Sequence, residues 1–119
     1  MEKRGKVFIP QEPMKRDRIT GEMMPVMDFR KALEYGELVV CLQGGRIALS
    51  TAPMVRQLEE VLRDFCDDDY LLAAGNPTAI AVAGAIVARN NLGRFKMLNW
   101  DKESKQYIKI EVNLNPRKD

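Results

Sequence analysis

The chain has 119 residues, 45% of them hydrophobic and 30% charged, with a formal net charge of +2. That describes one domain of ordinary soluble composition, long enough to bury a core without staples. With no histidine in the sequence, Ser-His and Cys-His hydrolases are excluded, and the commonest zinc ligand and near-neutral proton shuttle are missing too.

Lys6-Val7-Phe8-Ile9 predicts a first strand stopped by Pro10, and Met23–Met27 a second, which Pro25 confines to an edge or bulge. The polar, turn-rich stretch between them makes the pair a long-looped hairpin. Asp28 is placed to cap a short helical turn through Phe29, Ala32 and Leu33, closed by Gly36. Leu38-Val39-Val40-Cys41-Leu42 has no polar alternation and sits between glycines, as a strand buried on both faces would. Gln43-Gly44-Gly45-Arg46 then reads either as a primed hairpin turn into Ile47–Leu49 or as a strand-to-helix loop.

The next helix starts at Ser50 or Thr51, with Pro53 in its first turn. Met54, Val55, Leu58, Val61, Leu62 and Phe65 fall on one face, and Arg56, Gln57, Glu59, Glu60 and Arg63 on the other. Tyr70–Ala74 is a short apolar strand broken at Gly75. A second helix opens with Asn76 as N-cap and Pro77 at its first position, then runs without a charge to Arg89, and Gly93 lies just past its end. Arg94–Trp100 and Gln106–Leu114 form a C-terminal hairpin around the turn Asp101–Lys105. In its second strand Ile108, Ile110, Val112 and Leu114 are expected to be buried, while Tyr107, Lys109, Glu111 and Asn113 face water.

The predicted architecture is therefore a single small α/β domain. It has a mixed sheet with a parallel βαβαβ core, antiparallel hairpin additions and two main helices. Residues 1–36 supply the N-terminal hairpin and short helix, 37–100 the core, 94–114 the C-terminal hairpin and 115–119 a polar tail.

Charge is unevenly spread: residues 1–31 carry a net +3, residues 32–88 a net −5 and residues 89–119 a net +4. Basic ends flank an acidic middle, but the total is far below that of a dedicated nucleic-acid binder. Cys41 and Cys66 make neither a disulfide framework nor a metal spacing, so both are expected to be reduced thiols of a cytoplasmic protein. The uncharged run Ala79–Ala88 is too short to span a membrane, and the charged N-terminus is no secretory signal.

Ligands of open α/β sheets sit beyond the carboxyl ends of the parallel strands. Two loops fall there, giving Gly44, Gly45, Arg46, Gly75, Asn76 and Thr78 as candidate anion-binding residues, Arg46 as a bidentate donor and Asn76–Thr78 as a helix N-terminus. Neither loop carries a nucleotide fingerprint, and efficient capping is the favoured explanation of Gly75-Asn76-Pro77. Asp64, Asp67, Asp68 and Asp69 cluster at a helix end, which reads as a solvated turn, and no metal site is assigned. No catalytic residue and no cofactor is assigned either.

A helix apolar on all sides asks for cover on all sides. The small residues Ala81, Gly84, Ala85 and Ala88 mark the strip where a second subunit would pack, unless the N-terminal segment folds over it. Trp100 and Tyr107 among Lys96, Lys102, Lys105 and Lys109 fit a base-stacking platform, but also an ordinary cross-strand aromatic pair.

Three stretches resemble small proteins of marine tailed phages, notably those that infect cyanobacteria: Phe8-Ile9-Pro10 through Met27-Asp28-Phe29-Arg30-Lys31-Ala32-Leu33-Glu34-Tyr35-Gly36, then Asp69–Leu72, then Gly93–Asp101. The resemblance covers most of the chain and brings a setting, not an activity. It implies expression inside a bacterial host, where small phage proteins bind host or phage machinery. The expected function is that of a non-enzymatic accessory protein with a protein partner, self-associating as a homodimer. A small-molecule binder or enzyme using the two loops is the alternative, and weak nucleic-acid binding the third reading.

Overall fold

The first strand lies inside the sheet, one place from its edge, and not in a hairpin. The structure is a computed structural model that describes residues 5–43 and 52–116. In it β1 (Lys6–Gln11) runs parallel to both β4 (Glu37–Leu42) and β5 (Tyr70–Leu72). The five-stranded sheet has the order β4-β1-β5, then β6 (Arg94–Asp101) and β7 (Gln106–Asn113). Only β7 is antiparallel to its neighbour. The fold is a small α/β domain with a mixed sheet and two main helices, α1 (Ala52–Val61) and α2 (Pro77–Asn90).

An N-terminal hairpin does exist, but it is built from β2 (Met14–Arg16) and β3 (Met23–Pro25), a separate two-stranded sheet. Pro10 does not stop β1. The ladder to β4 passes over it, with Ile9 opposite Val40 and Gln11 opposite Leu42, so no ladder bond depends on a proline N–H. With β1 filling the interior place, β4 becomes an edge strand. Its Leu38 and Val39 are half-buried and Val40 is exposed, so it is not covered on both faces.

Connections that run in opposite directions along a sheet leave it on opposite faces when crossovers are right-handed. The path from β1 to β4 runs one way and carries the 3-10 helix Arg30–Tyr35. The paths β4–α1–β5 and β5–α2–β6 run the other way. Accordingly, α1 and α2 share one face, where Leu58, Leu62, Ala79, Ala83 and Val87 pack on Phe8 and Leu71. Phe29 and Ala32 cover the other face, against Val7, Ile9, Leu72 and Leu98. Leu58, Leu62 and Leu71 are fully buried, and each contributes roughly 2 kcal/mol by leaving water.

The expected face of α1 is the buried one as far as the helix runs, with Met54 and Leu58 inside and Val55 and Val61 at its margin; the helix ends at Val61, and Leu62 and Phe65 are buried from the turn that follows. Its cap at Ser50 or Thr51 lies outside the described residues, as does the choice between hairpin and loop after Gln43. The short N-terminal helix is 3-10. Its N-cap is Phe29, with no side-chain cap bond, and not the expected Asp28; Asp28, two residues before the helix, accepts the Arg30 N–H and pairs with the Arg30 guanidinium. Helix α2 opens as expected, the Asn76 side chain accepting the Thr78 N–H at 2.8 Å with Pro77 at N1. Among the described residues no helix is long and apolar enough to cross a membrane.

Candidate functional site

The parallel sheet has a switch point between β1 and β5, whose onward connections depart in opposite directions. Its carboxyl edge is where such sheets hold ligands. Gln11 ends β1 there and is buried. Its side-chain oxygen accepts the Asn76 N–H at 2.9 Å, and its amide nitrogen donates to the Gln43 carbonyl at 3.3 Å. One side chain thus ties the start of the loop that follows β4 to the end of the loop that follows β5. A hollow of about 440 Å³ adjoins it, lined by Gly75 and Asn76 and by Glu12, Lys15 and Arg16 of the N-terminal hairpin.

Of the six expected anion-binding residues, Gly75 and Asn76 meet in this hollow. Thr78 is exposed outside its lining, and Gly44, Gly45 and Arg46 lie outside the described residues. The donors of the loop are already engaged: Asn76 N–H by Gln11 and Thr78 N–H by the cap itself. A helix start closed in this way has less to offer an anion. Gln11, Lys15 and Arg16 were not legible as neighbours of Asn76, because the hairpin reading sent β1 to a sheet edge. The polar residue at the end of an apolar run was the one available signal.

The acidic turn is structural at two of its positions. Asp69 is buried and accepts the Lys6 and Cys66 N–H groups at 2.8 and 2.9 Å, while Asp67 pairs with Arg94 and accepts from Asn91. Among the described residues no three His, Cys, Asp or Glu side chains converge as metal ligands. Burial pushes the Cys41 thiol up to about 12, which leaves it a small inert apolar group at neutral pH.

The helix-bearing side of the sheet is open in two places. On α2 Ala81 and Ala85 are exposed, Gly84 and Ala88 half-buried, and a Cβ on Gly84 would meet nothing within 4 Å. Helix α2 packs on α1, β1 and β6, and the N-terminal helix lies on the opposite face, so it is not the cover for this strip. On β7 Lys109, Glu111 and Asn113 face water as expected and Val112 is half-buried, but Tyr107, Ile108 and Ile110 depart from the expected burial. Tyr107 is buried, whereas Ile108 is 45% and Ile110 39% exposed. Ile110 and Val112 stand opposite Met97 and Phe95, which pack into the helix-side core, so the apolar face of β7 turns to that same side. It stays in water because α2 reaches β6 and stops there.

On the far side Trp100 and Tyr107 are opposite one another in the hairpin, their rings edge to face at 5.0 Å. The Lys31 ammonium lies 5.7 Å from the Trp100 ring, and these residues with Val26, Met27 and Asp28 enclose about 420 Å³. Burial, and secondarily the Asp28 charge, push the Tyr107 hydroxyl above its usual range. That hydroxyl has no hydrogen-bond partner among the described residues.

The class these features define is a small α/β domain with a mixed sheet. A family model described as Phage Pam3 gp32-like protein matches residues 5–114. The chain belongs to that family. No curated protein and no solved structure matches it.

Proposed function

We propose that this phage protein is a non-enzymatic accessory protein that acts in the host cytoplasm by protein–protein interaction, self-associating as a homodimer. The observation that carries the reading is apolar surface left uncovered at two places on the helix-bearing side. It comprises Ile108 and Ile110 of β7 together with the strip Ala81, Gly84, Ala85 and Ala88 of α2. Surfaces of this kind, rimmed by polar residues, are where proteins meet. Light scattering on eluting fractions across a range of loading concentrations tests it. The expected result is a concentration-dependent shift from one 13.6 kDa chain to two. A single-chain mass at every concentration overturns the homodimer.

A second reading is favoured by the hollow of about 440 Å³ at the switch point: a binder of nucleotides or phosphorylated metabolites. The engaged donors of Asn76 and Thr78 weigh against it. A thermal-shift panel of those compounds decides, since a ligand held there stabilises the native state by mass action. A clear rise in Tm with one of them would displace the interaction reading.

A further inference from the structure

We infer that the homodimer forms by antiparallel pairing of β7 with β7 of a second copy, centred on Ile110, so that two sheets become one. This rests on the self-association reading above and gives it an edge and a register. Strand β7 is a long open edge of the kind monomeric proteins blunt with prolines, bulges or short length. It has no proline or glycine, and it pairs residue for residue with β6 from Gln106 to Asn113 without a bulge. One outward carbonyl is taken on each edge, that of Cys41 on β4 by the Gln57 side chain at 2.9 Å and that of Tyr107 on β7 by the Tyr35 hydroxyl at 3.3 Å, and on β7 the rest of the strand beyond Tyr107 stays open.

The phase of the ladder follows from one bond. Leu114 N–H donates to Gly93 O, and the pairs alternate from there, so Lys109 and Glu111 turn their backbone N–H and C=O away from β6. Across a twofold axis normal to the sheet, directly opposite residues share a face. With Ile110 on the axis, Lys109 faces Glu111 of the second copy, twice by symmetry, and Ile108 faces Val112 on the helix side. Shifting the register one pair either way sets Lys109 against Lys109 or Glu111 against Glu111. Charge therefore selects this register from its neighbours. Neither residue makes an ion pair among the described residues. Glu111 stands opposite Lys96 within the chain, but the Lys96 ammonium lies over the Tyr70 ring at 4.2 Å. The pairing is centred away from Tyr107, whose carbonyl already accepts the Tyr35 hydroxyl.

Two measurements on the full chain test this. Lys109→Glu and Glu111→Lys, each alone, place like charges opposite one another and should weaken self-association about tenfold in sedimentation equilibrium. The double exchange should restore it. In a Cys66→Ser background, Ile110→Cys should give a disulfide-linked dimer under mild oxidation, since opposed residues of a non-hydrogen-bonded pair sit about 4.5 Å apart. Ala85→Cys should not. A dimer that links through Ala85→Cys and not Ile110→Cys, or a double exchange that fails to rescue, overturns the β7 assignment and leaves the homodimer standing. A protein that is monomeric throughout overturns both.

Discussion

The side-chain oxygen of Gln11 accepts the backbone N–H of Asn76 at 2.9 Å, joining the end of the first strand to the residue that caps α2. Its amide nitrogen reaches the Gln43 carbonyl beyond β4, so the end of β1, the residue after β4 and the cap of α2 meet on one buried side chain. Gln11→Ala leaves both backbone groups unpaired. It should cost about 2 kcal/mol, which is a fall in Tm of about 8 °C for a domain of this size, read by circular dichroism or calorimetry. An unchanged Tm would show that the bridge contributes nothing.

Two glycines should respond to alanine in opposite directions. Gly75 has φ +114°, and a Cβ there would come within 2.6 Å of the Gln11 Cβ and 2.7 Å of its carbonyl oxygen. Gly75→Ala combines a forbidden backbone with a collision and should lose at least about 2 kcal/mol. Gly84 lies inside α2 with open space where a Cβ would stand. Gly84→Ala should gain about 0.5–1 kcal/mol from the lower freedom of the unfolded chain. Paired denaturant titrations check both signs.

Tyr107→Phe is expected to leave the fold intact and to raise stability by about 1 kcal/mol. The hydroxyl it removes is buried and has no partner among the described residues. The edge-to-face contact with Trp100 is kept. Urea unfolding followed by Trp100 fluorescence reads the change, and a loss of stability would mean that the hydroxyl is engaged in solution.

Cys41 makes a pH-dependent contribution whose sign follows from burial. Its ordinary value of 9.0 is pushed up to about 12 in the folded chain, so between those values the native state keeps a proton that the unfolded state releases. Stability from this group is complete below about pH 9 and declines as the pH rises toward 12. Cys41→Ala should flatten that decline in unfolding titrations. In the same way, a thiol reagent at pH 8 should label the partly exposed Cys66 in the native protein and reach Cys41 only on unfolding.

Local signals in this chain were legible where the interaction partners are near in sequence. Asn76, Pro77 and the uncharged run behind them specify a helix start, and the structure has it with the Asn76 cap in place. The alternation of residues 106–113 specifies a strand and sorts its side chains into two faces, and the pairing with β6 keeps those sets. The spacing Met54, Leu58 names the buried face of α1, and Leu62 and Phe65 continue it as buried residues past the helix end.

What was not legible depends on contacts between distant residues. Asp69 holds the Lys6 N–H from 63 positions away, and Val7 and Phe8 pair with Tyr70 and Leu71. No local pattern distinguishes a strand bound for a hairpin from one bound for the interior of a parallel sheet, and that choice decides which loops Gln11 joins. The burial of β7 was misjudged for a related reason. Periodicity says which residues share a face, but only the reach of α2 across the sheet decides which face is covered.

The amino-acid sequence by itself determined most of the elements, the cap of α2 and the α/β class, because propensity, capping and periodicity act within a few residues. Only the tertiary structure decided that β1 lies between β4 and β5, that Gln11 closes the candidate crevice, and that the isoleucines of β7 remain in water. Those outcomes come from strand pairing and layer coverage, whose energies are summed over residues the chain brings together only when it folds.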